Sequence, residues 1–405
     1  MKLSIGPGAL VAAAFIGPGT VTACTLAGAN FGFALVWTLI FATFATMILQ
    51  GMAARLGVAG RMGLGEAMMQ GAGTPALKYA AGGLVLAAIL IGNSAYEAGN
   101  LAGAALGLDA VFGAQGGWSG SGYTILIAGI AALALGVGRY RLLERLLILL
   151  VIIMSLAFAA SFVLVRPNIG ALAAGAIPSI PSGGLLTAIA LIGTTIVPYN
   201  LFLHAAASQR RWTEATPEAV AAARLDTRLS IGLGGLISLF ILSTAAASLF
   251  SSGLRVTSAA DMAVALEPIA GSAATYVIGI GLAAAGLTSA ITAPMATGYA
   301  VSEIVGRSGD DHALVFRGVA LLVLGIGLTA ALSGIRPTEL ILFAQAANGL
   351  LLPVIAIVLL MAMNRQDLLG EYTNSRTENV LGVGVVGVCL LLGIRLILRT
   401  AGIWP

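Results

Sequence analysis

The chain has 405 residues, of which 59% are hydrophobic and only 9% charged, with a net charge of +4. A soluble domain of this size needs far more charge to cover its surface, and the apolar runs exceed the ~20 residues that span a bilayer. These numbers exclude a soluble protein and indicate a polytopic, all-α membrane protein; its small positive surplus fits membrane topology better than a nucleic-acid partner.

The first apolar run, residues 7–30, carries Ile16-Gly17-Pro18-Gly19-Thr20 at its centre. Pro18 removes a backbone donor and clashes with the carbonyl four residues back, and the flanking glycines give up helical restraint. Unpaired backbone at bilayer depth survives only where protein buries it or a polar cavity receives it. The stretch therefore reads either as a proline kink or as a broken helix that binds something. The run after Lys2 continues into this interrupted helix, so it is expected to be the first span rather than a cleaved signal peptide.

Further spans are expected at 33–54, 79–108, 121–138, 143–165, 185–208, 227–251, 274–305, 315–333, 339–362 and 378–398, giving eleven in all. The third carries Glu97 and Asn100; an ionisable side chain at that depth is a functional group by default, although a neutral Glu97 could simply hydrogen-bond a neighbouring helix. The sixth carries Thr194-Thr195-Ile196-Val197-Pro198-Tyr199-Asn200 at its centre, with His204 more than one turn further on. Asp226, with Arg224 and Arg228, lies at the cytoplasmic end of the seventh and reads as a gate-closing or structural ion pair. Gln345 and Asn348 share one face of the tenth, either as ligands or as amides that tie helices together.

Two interrupted segments, about 180 residues apart and at corresponding places, point to an inverted-repeat transporter with its substrate held between the breaks. The expected organisation is a first repeat at 1–165, an external linker at 166–184, a second repeat at 185–362, and a loop with the last span at 363–405. A short interfacial helix is expected within 57–73, and a short helix lying on the outer surface within 256–269.

No phosphate-binding loop, zinc spacing or nucleophile elbow is present, so neither enzymatic activity nor a cofactor is expected, and transport would run on a gradient. Cys24 and Cys389 lie far apart and suggest neither a disulfide nor a metal site. Of the 20 Lys and Arg, only Arg166, Arg255, Arg336, Arg395 and Arg399 fall outside when the N-terminus is cytoplasmic. That bias places the N-terminus inside and the C-terminus outside a plasma or inner membrane.

At these residues the chain resembles the NRAMP family of divalent-metal transporters, along nearly its whole length. The likeness rests on Gly17-Pro18-Gly19, Leu26-Ala27-Gly28 with Phe31-Gly32, Glu97 to Leu108, Gly193 to His204, Asp261 to Gly271, and Phe343-Ala344-Gln345 with Pro353. It implies a LeuT-like fold, with two inverted five-helix repeats, an eleventh helix, and helices 1 and 6 broken. The family's first-span Asp and Asn and sixth-span Met coordinate the metal; here those positions are Gly17, Thr20 and Val197, and the motif His is Tyr199. The family's third-span Asp and Glu align with Glu97 and Asn100, while its second sixth-span His is kept as His204. The resemblance thus implies a divergent branch with an altered metal site.

Gly17 and Val197 remove the local charge and the soft donor together. Freed carbonyls, Thr20, Tyr199, Gln345 and Asn348 remain as the expected substrate site, with Gly17, Thr20 and Gln345 as contacts to a metal. Such a set suits a cation that keeps its water, Mg2+ or Mn2+, or a small neutral or anionic solute at the helix N-termini. Glu97, His204 and Asn100 are the expected coupling residues. A transport-inactive relative acting as a sensor or structural protein is the third reading.

Overall fold

The structure, a computed structural model, describes residues 6–8, 11, 16–71, 74–113, 120–137, 141–250, 252–253, 256–306 and 310–403. Its helices are α1 (Pro18–Phe31), α2 (Val36–Ala59), α3 (Leu64–Gly71), α4 (Pro75–Phe112), α5 (Gly120–Val137), α6 (Arg141–Val165) and α7 (Ile169–Ala174). There follow α8 (Leu185–Thr195), α9 (Pro198–Arg211), α10 (Pro217–Ala245), α11 (Ala259–Ala263), α12 (Glu267–Ala270), α13 (Ala274–Val305), α14 (Asp310–Ala331), α15 (Pro337–Met363), α16 (Gln366–Leu369) and α17 (Arg376–Thr400).

Among the described residues, 10 helical segments are long and apolar enough to cross a membrane, the broken pair α8–α9 counting as one. The expected first span is seen from its second half: α1 starts at Pro18, and residues 9–10 and 12–15 lie outside the described residues. Pro at the first helical position costs nothing, because its missing N–H would have had no partner there.

Burial separates centre from periphery. In the most apolar stretch of Leu185–Arg211, 94% is buried, against 22% in Ala313–Ala331 and 28% in Arg145–Val165. The central broken helix is sheathed by protein, while the ninth and fifth spans present apolar faces to lipid. α15 packs on α4, α8 and α1, and α4 packs on α13 and α14, so these helices surround the breaks.

One expectation needs correction. α10 begins at Pro217, about three turns before the expected 227, because Thr216 accepts a hydrogen bond from the Ala219 N–H and Pro217 takes the first helical position. Asp226 therefore lies inside a helix rather than at its end. The segment 256–269 does form short helices, started by a reciprocal Ser258–Asp261 cap. They bury one face and expose the other: Met262, Ala265 and Leu266 are buried, and the Ser161 hydroxyl of α6 donates to the Ala265 carbonyl at 2.7 Å, while Ala260, Glu267 and Ile269 are exposed. The short helix expected in 57–73 is α3.

Candidate functional site

The sixth span breaks because Pro198 cannot offer an N–H to the Thr194 carbonyl. Ile196 (ψ 74°) and Val197 (ψ 121°) leave the helix, and α9 restarts at Pro198. At the other break, Gly17 is extended, and its carbonyl accepts the Val21 N–H at 3.2 Å.

The two breaks meet. The Thr20 and Thr194 hydroxyls hydrogen-bond at 2.8 Å, fully buried. Ile16 and Val197, one from each break, belong to one apolar cluster with Tyr96 and Tyr199. α15 closes a third side at van der Waals contact. A Cβ on Gly19 would overlap the Gln345 side-chain amide, and a Cβ on Gly193 would overlap the Gln345 backbone carbonyl. Only glycine lets α15 approach both breaks this closely.

The amides beside this junction have no protein partner. Both polar atoms of Gln345, of Asn348 and of Asn200 are buried and make no hydrogen bond. Buried polar atoms are paired in the large majority of cases, so three unpaired amides, two of them one turn apart on α15, require a reason. Thr20, by contrast, already spends its hydroxyl on Thr194.

Tyr199 packs edge-on against Tyr96 of α4, with ring centroids 5.6 Å apart and an interplanar angle of 64°. Tyr96, Gly99 and Gly103 are thus the α4 face turned towards the breaks and α15, the last two lying against Ala344 and Pro18. Glu97 points elsewhere. Its stem lies against Gly327 of α14, and its Oε2 accepts from Asn100 Nδ2 at 3.3 Å. Its other oxygen, Oε1, is buried without a partner.

His204 is also buried, and its Nδ1 pairs with Gln50 Oε1 of α2 at 2.9 Å. Five residues turn it about 140° away from Tyr199 around the helix, which directs it towards α2. Glu97 and His204 do not hydrogen-bond each other. Among the described residues, the ion pair expected at Asp226 is not formed either: Asp226 accepts the Gly8 N–H at 2.6 Å, while Arg224 approaches Glu378 at 3.8 Å. Residues two apart on a helix point to different sides, which separates Asp226 from both arginines.

Sequence reasoning passed over Thr194, Asn200 and Gln50 as individual site residues, and the Asn93–Thr297 bond of 2.5 Å between α4 and α13. Gln50 carried a usable signal, a lone amide in an apolar run. Among the described residues, no group of three or more His, Cys, Asp or Glu could hold a metal ion. The donors at the junction are carbonyls, hydroxyls and amides.

Comparison with known proteins agrees with this architecture. The chain is 28% identical to the divalent metal cation transporter MntH of Yersinia pestis, over 98% of this chain and 95% of that protein. Its structure resembles that of the Eremococcus coleocola manganese transporter, with a TM-score of 0.77 and 24% identity, covering 96% of this chain and 84% of that one. It also resembles MhsT, solved with L-phenylalanine, with a TM-score of 0.61 and 15% identity, covering 96% and 99% of the two chains. The fold is therefore LeuT-like. The profile described as "Natural resistance-associated macrophage protein-like" matches residues 8–399, and the chain, a multi-pass membrane protein, belongs to the NRAMP family of transporters.

Proposed function

We propose that this protein is a gradient-driven transporter with a remodelled central site, and that its substrate is a divalent cation that keeps part of its water, Mg2+ or Mn2+. One observation carries the reading: the breaks are joined at Thr20–Thr194 beside the unpartnered amides of Gln345 and Asn348. The relatives are named as divalent metal cation and manganese transporters, which supplies the substrate class. Gly17 and Val197 offer neither a carboxylate nor a thioether, so a dehydrated soft ion lacks its preferred donors. A hydrated ion instead donates water hydrogens to amide, hydroxyl and carbonyl oxygens. Gly17, Thr20, Val197, Tyr199, Gln345 and Asn348 form this site in our reading.

The test is uptake into proteoliposomes of Mg2+, Mn2+, Cd2+ and Fe2+ at low concentration. Uptake of Mg2+ or Mn2+ without Cd2+ or Fe2+ supports the proposal, and Cd2+ or Fe2+ uptake overturns it. A second reading has an observation of its own. The orphaned amides carry N–H donors as well as oxygens, and a hydrated cation leaves those donors unused. A small neutral or anionic solute would engage them. Thermal-shift screening with carboxylates and amino acids beside the divalent ions separates the two readings.

Glu97, supported by Asn100, is our choice of coupling group, with His204 as a secondary one. Glu97 is a fully buried carboxyl with one unpartnered oxygen. Glu97→Gln should remove any dependence of uptake on an imposed pH gradient; retention of that dependence would exclude it. We also propose the repeat boundaries 1–165 and 185–362, with the linker at 166–184 and the last span in 363–405. The N-terminus would be cytoplasmic and the C-terminus outside, which single-cysteine labelling from each side of the cell membrane tests.

A further inference from the structure

A groove runs down the lipid-facing side of the protein between α2 and α10. One end, about 580 Å³, is lined by Arg55, Arg224, Arg228 and Glu378 together with Phe44 and Met47. The next part, about 230 Å³, is lined by Phe44 and Met47 again, by Thr43, whose hydroxyl donates to the Leu39 carbonyl, and by apolar residues on to Leu236 and Leu239. Two shared residues make these successive parts of one groove. It is cationic at one end and apolar along its length.

The charges at the cationic end do not balance. Glu378 gives one oxygen to Arg55 at 2.6 Å, and its other oxygen accepts the Ser375 N–H at 2.8 Å. Arg224 reaches Glu378 only at 3.8 Å and is about half exposed. Arg228 is exposed and forms no ion pair among the described residues, and Asp226 turns away to the Gly8 N–H. Three guanidinium groups face one carboxylate, which leaves two positive charges in surplus. Arg224 and Arg228 are four residues apart, so they share one face of α10. Both also border a second hollow of about 360 Å³ beside Tyr372, giving a headgroup room on either side.

The apolar part has the dimensions of an acyl chain. From Arg228 to Leu239, α10 rises about 16 Å. No neighbouring atom lies where a Cβ on Gly51 would sit, and a Cβ on Gly232 would meet only Met47 Cε at 3.2 Å. Small residues on both helices keep the slot open. Basic pockets between membrane helices recognise the phosphate of anionic lipids, and planar guanidinium groups fit phosphate oxygens in pairs.

We propose that this groove binds an anionic phospholipid, with its phosphodiester on Arg224 and Arg228 and one acyl chain laid between α2 and α10 along Met47, Phe44 and Leu239. A zwitterionic lipid would bring its own cation back to the arginines and gain less. The site is separate from the junction at Thr20 and Thr194.

Native mass spectrometry of the full chain in detergent, with phosphatidylglycerol and phosphatidylcholine at equal concentration, tests the proposal. The expected preference for phosphatidylglycerol is about 30-fold, roughly fivefold per arginine. Arg224→Gln with Arg228→Gln should erase that preference. Gly232→Leu, which keeps every arginine and fills the chain slot, should weaken both lipids. Arg336→Gln, at the opposite end of α15 from the loop that leads to Glu378, should leave binding unchanged. Inorganic phosphate at millimolar concentration should not displace the lipid, because it has no chain to place. Equal binding of the two lipids, persistence of the preference in the double variant, or displacement by phosphate overturns the proposal; displacement would assign the arginines to a free anion.

Discussion

Around Arg55, opposite charges are paired between α2 and α17. Arg55, only 3% exposed, gives one Nη to Glu378 at 2.6 Å and the other to Asn374, and the Ser375–Glu378 reciprocal cap holds Glu378 at the start of α17. On α15, Gln345 and Asn348 are as deeply buried, yet both amides pair with nothing. Both regions sit at helix junctions in the same apolar protein. An ion pair that ties α2 to α17 has its partners built in, whereas a site that must bind and release cannot have its donors already occupied. Unpaired groups at that depth cost stability, which a structural role gives no reason to retain.

The comparison can be broken most severely at the glycines. Gly193→Val would drive a side chain into the Gln345 carbonyl and force α15 off both breaks. Overpacking of this kind should cost about 3 kcal/mol or more and abolish uptake, read from thermal unfolding and proteoliposome flux. Glu378→Gln comes next. It leaves the buried Arg55 without its counter-charge, but Glu378 is 33% exposed, so the loss should be about 2 kcal/mol, below the roughly 3–5 kcal/mol of a fully buried pair. Its thermal midpoint should fall while substrate selectivity stays unchanged.

The smallest effect is expected on the loop before α17, where the Arg365 side chain bonds Asp367 and holds its carboxyl below the usual carboxylate range. A depressed folded-state value means that the contribution is present above the unfolded pKa of Asp and is lost as the pH falls through the folded value. Asp367 is fully exposed, so Asp367→Asn should flatten this acid-side dependence only slightly and leave the midpoint at neutral pH unmoved. A large shift there would mean that exposed pairs matter more than the buried junctions.

What could be read in the sequence follows from the range of the forces involved. Pro18 and Pro198 act on their own turn, so both interruptions were legible, as was the apolar length of the spans. The Thr216-Pro217 start of α10 was equally local, but the apolar pattern drew attention to 227 instead. Side-chain direction was not legible, because distant contacts set it. Glu97 turns to α14 where Gly327 leaves room for its stem, and His204 turns to Gln50 of α2. Arg224 finds Glu378 on the last helix rather than Asp226 two residues away. The burial of Met262 and Leu266 likewise depended on α6, through Ser161. The site residues on α15 were picked out as amides, but their isolation emerges only when α1, α4 and α8 close around them.

The central claim is that the amides of Gln345 and Asn348 are kept for a substrate rather than for the fold. The double variant Gln345→Leu with Asn348→Leu tests it, with thermal midpoint and uptake of Mg2+ and Mn2+ measured on the same preparation. Removing orphaned buried polar groups should leave the midpoint unchanged or raise it, since each such group costs about 1–3 kcal/mol, while uptake falls at least about tenfold, the equivalent of about 1.4 kcal/mol. Uptake at the wild-type rate, or a fall in midpoint that accounts for the loss of flux, would contradict it.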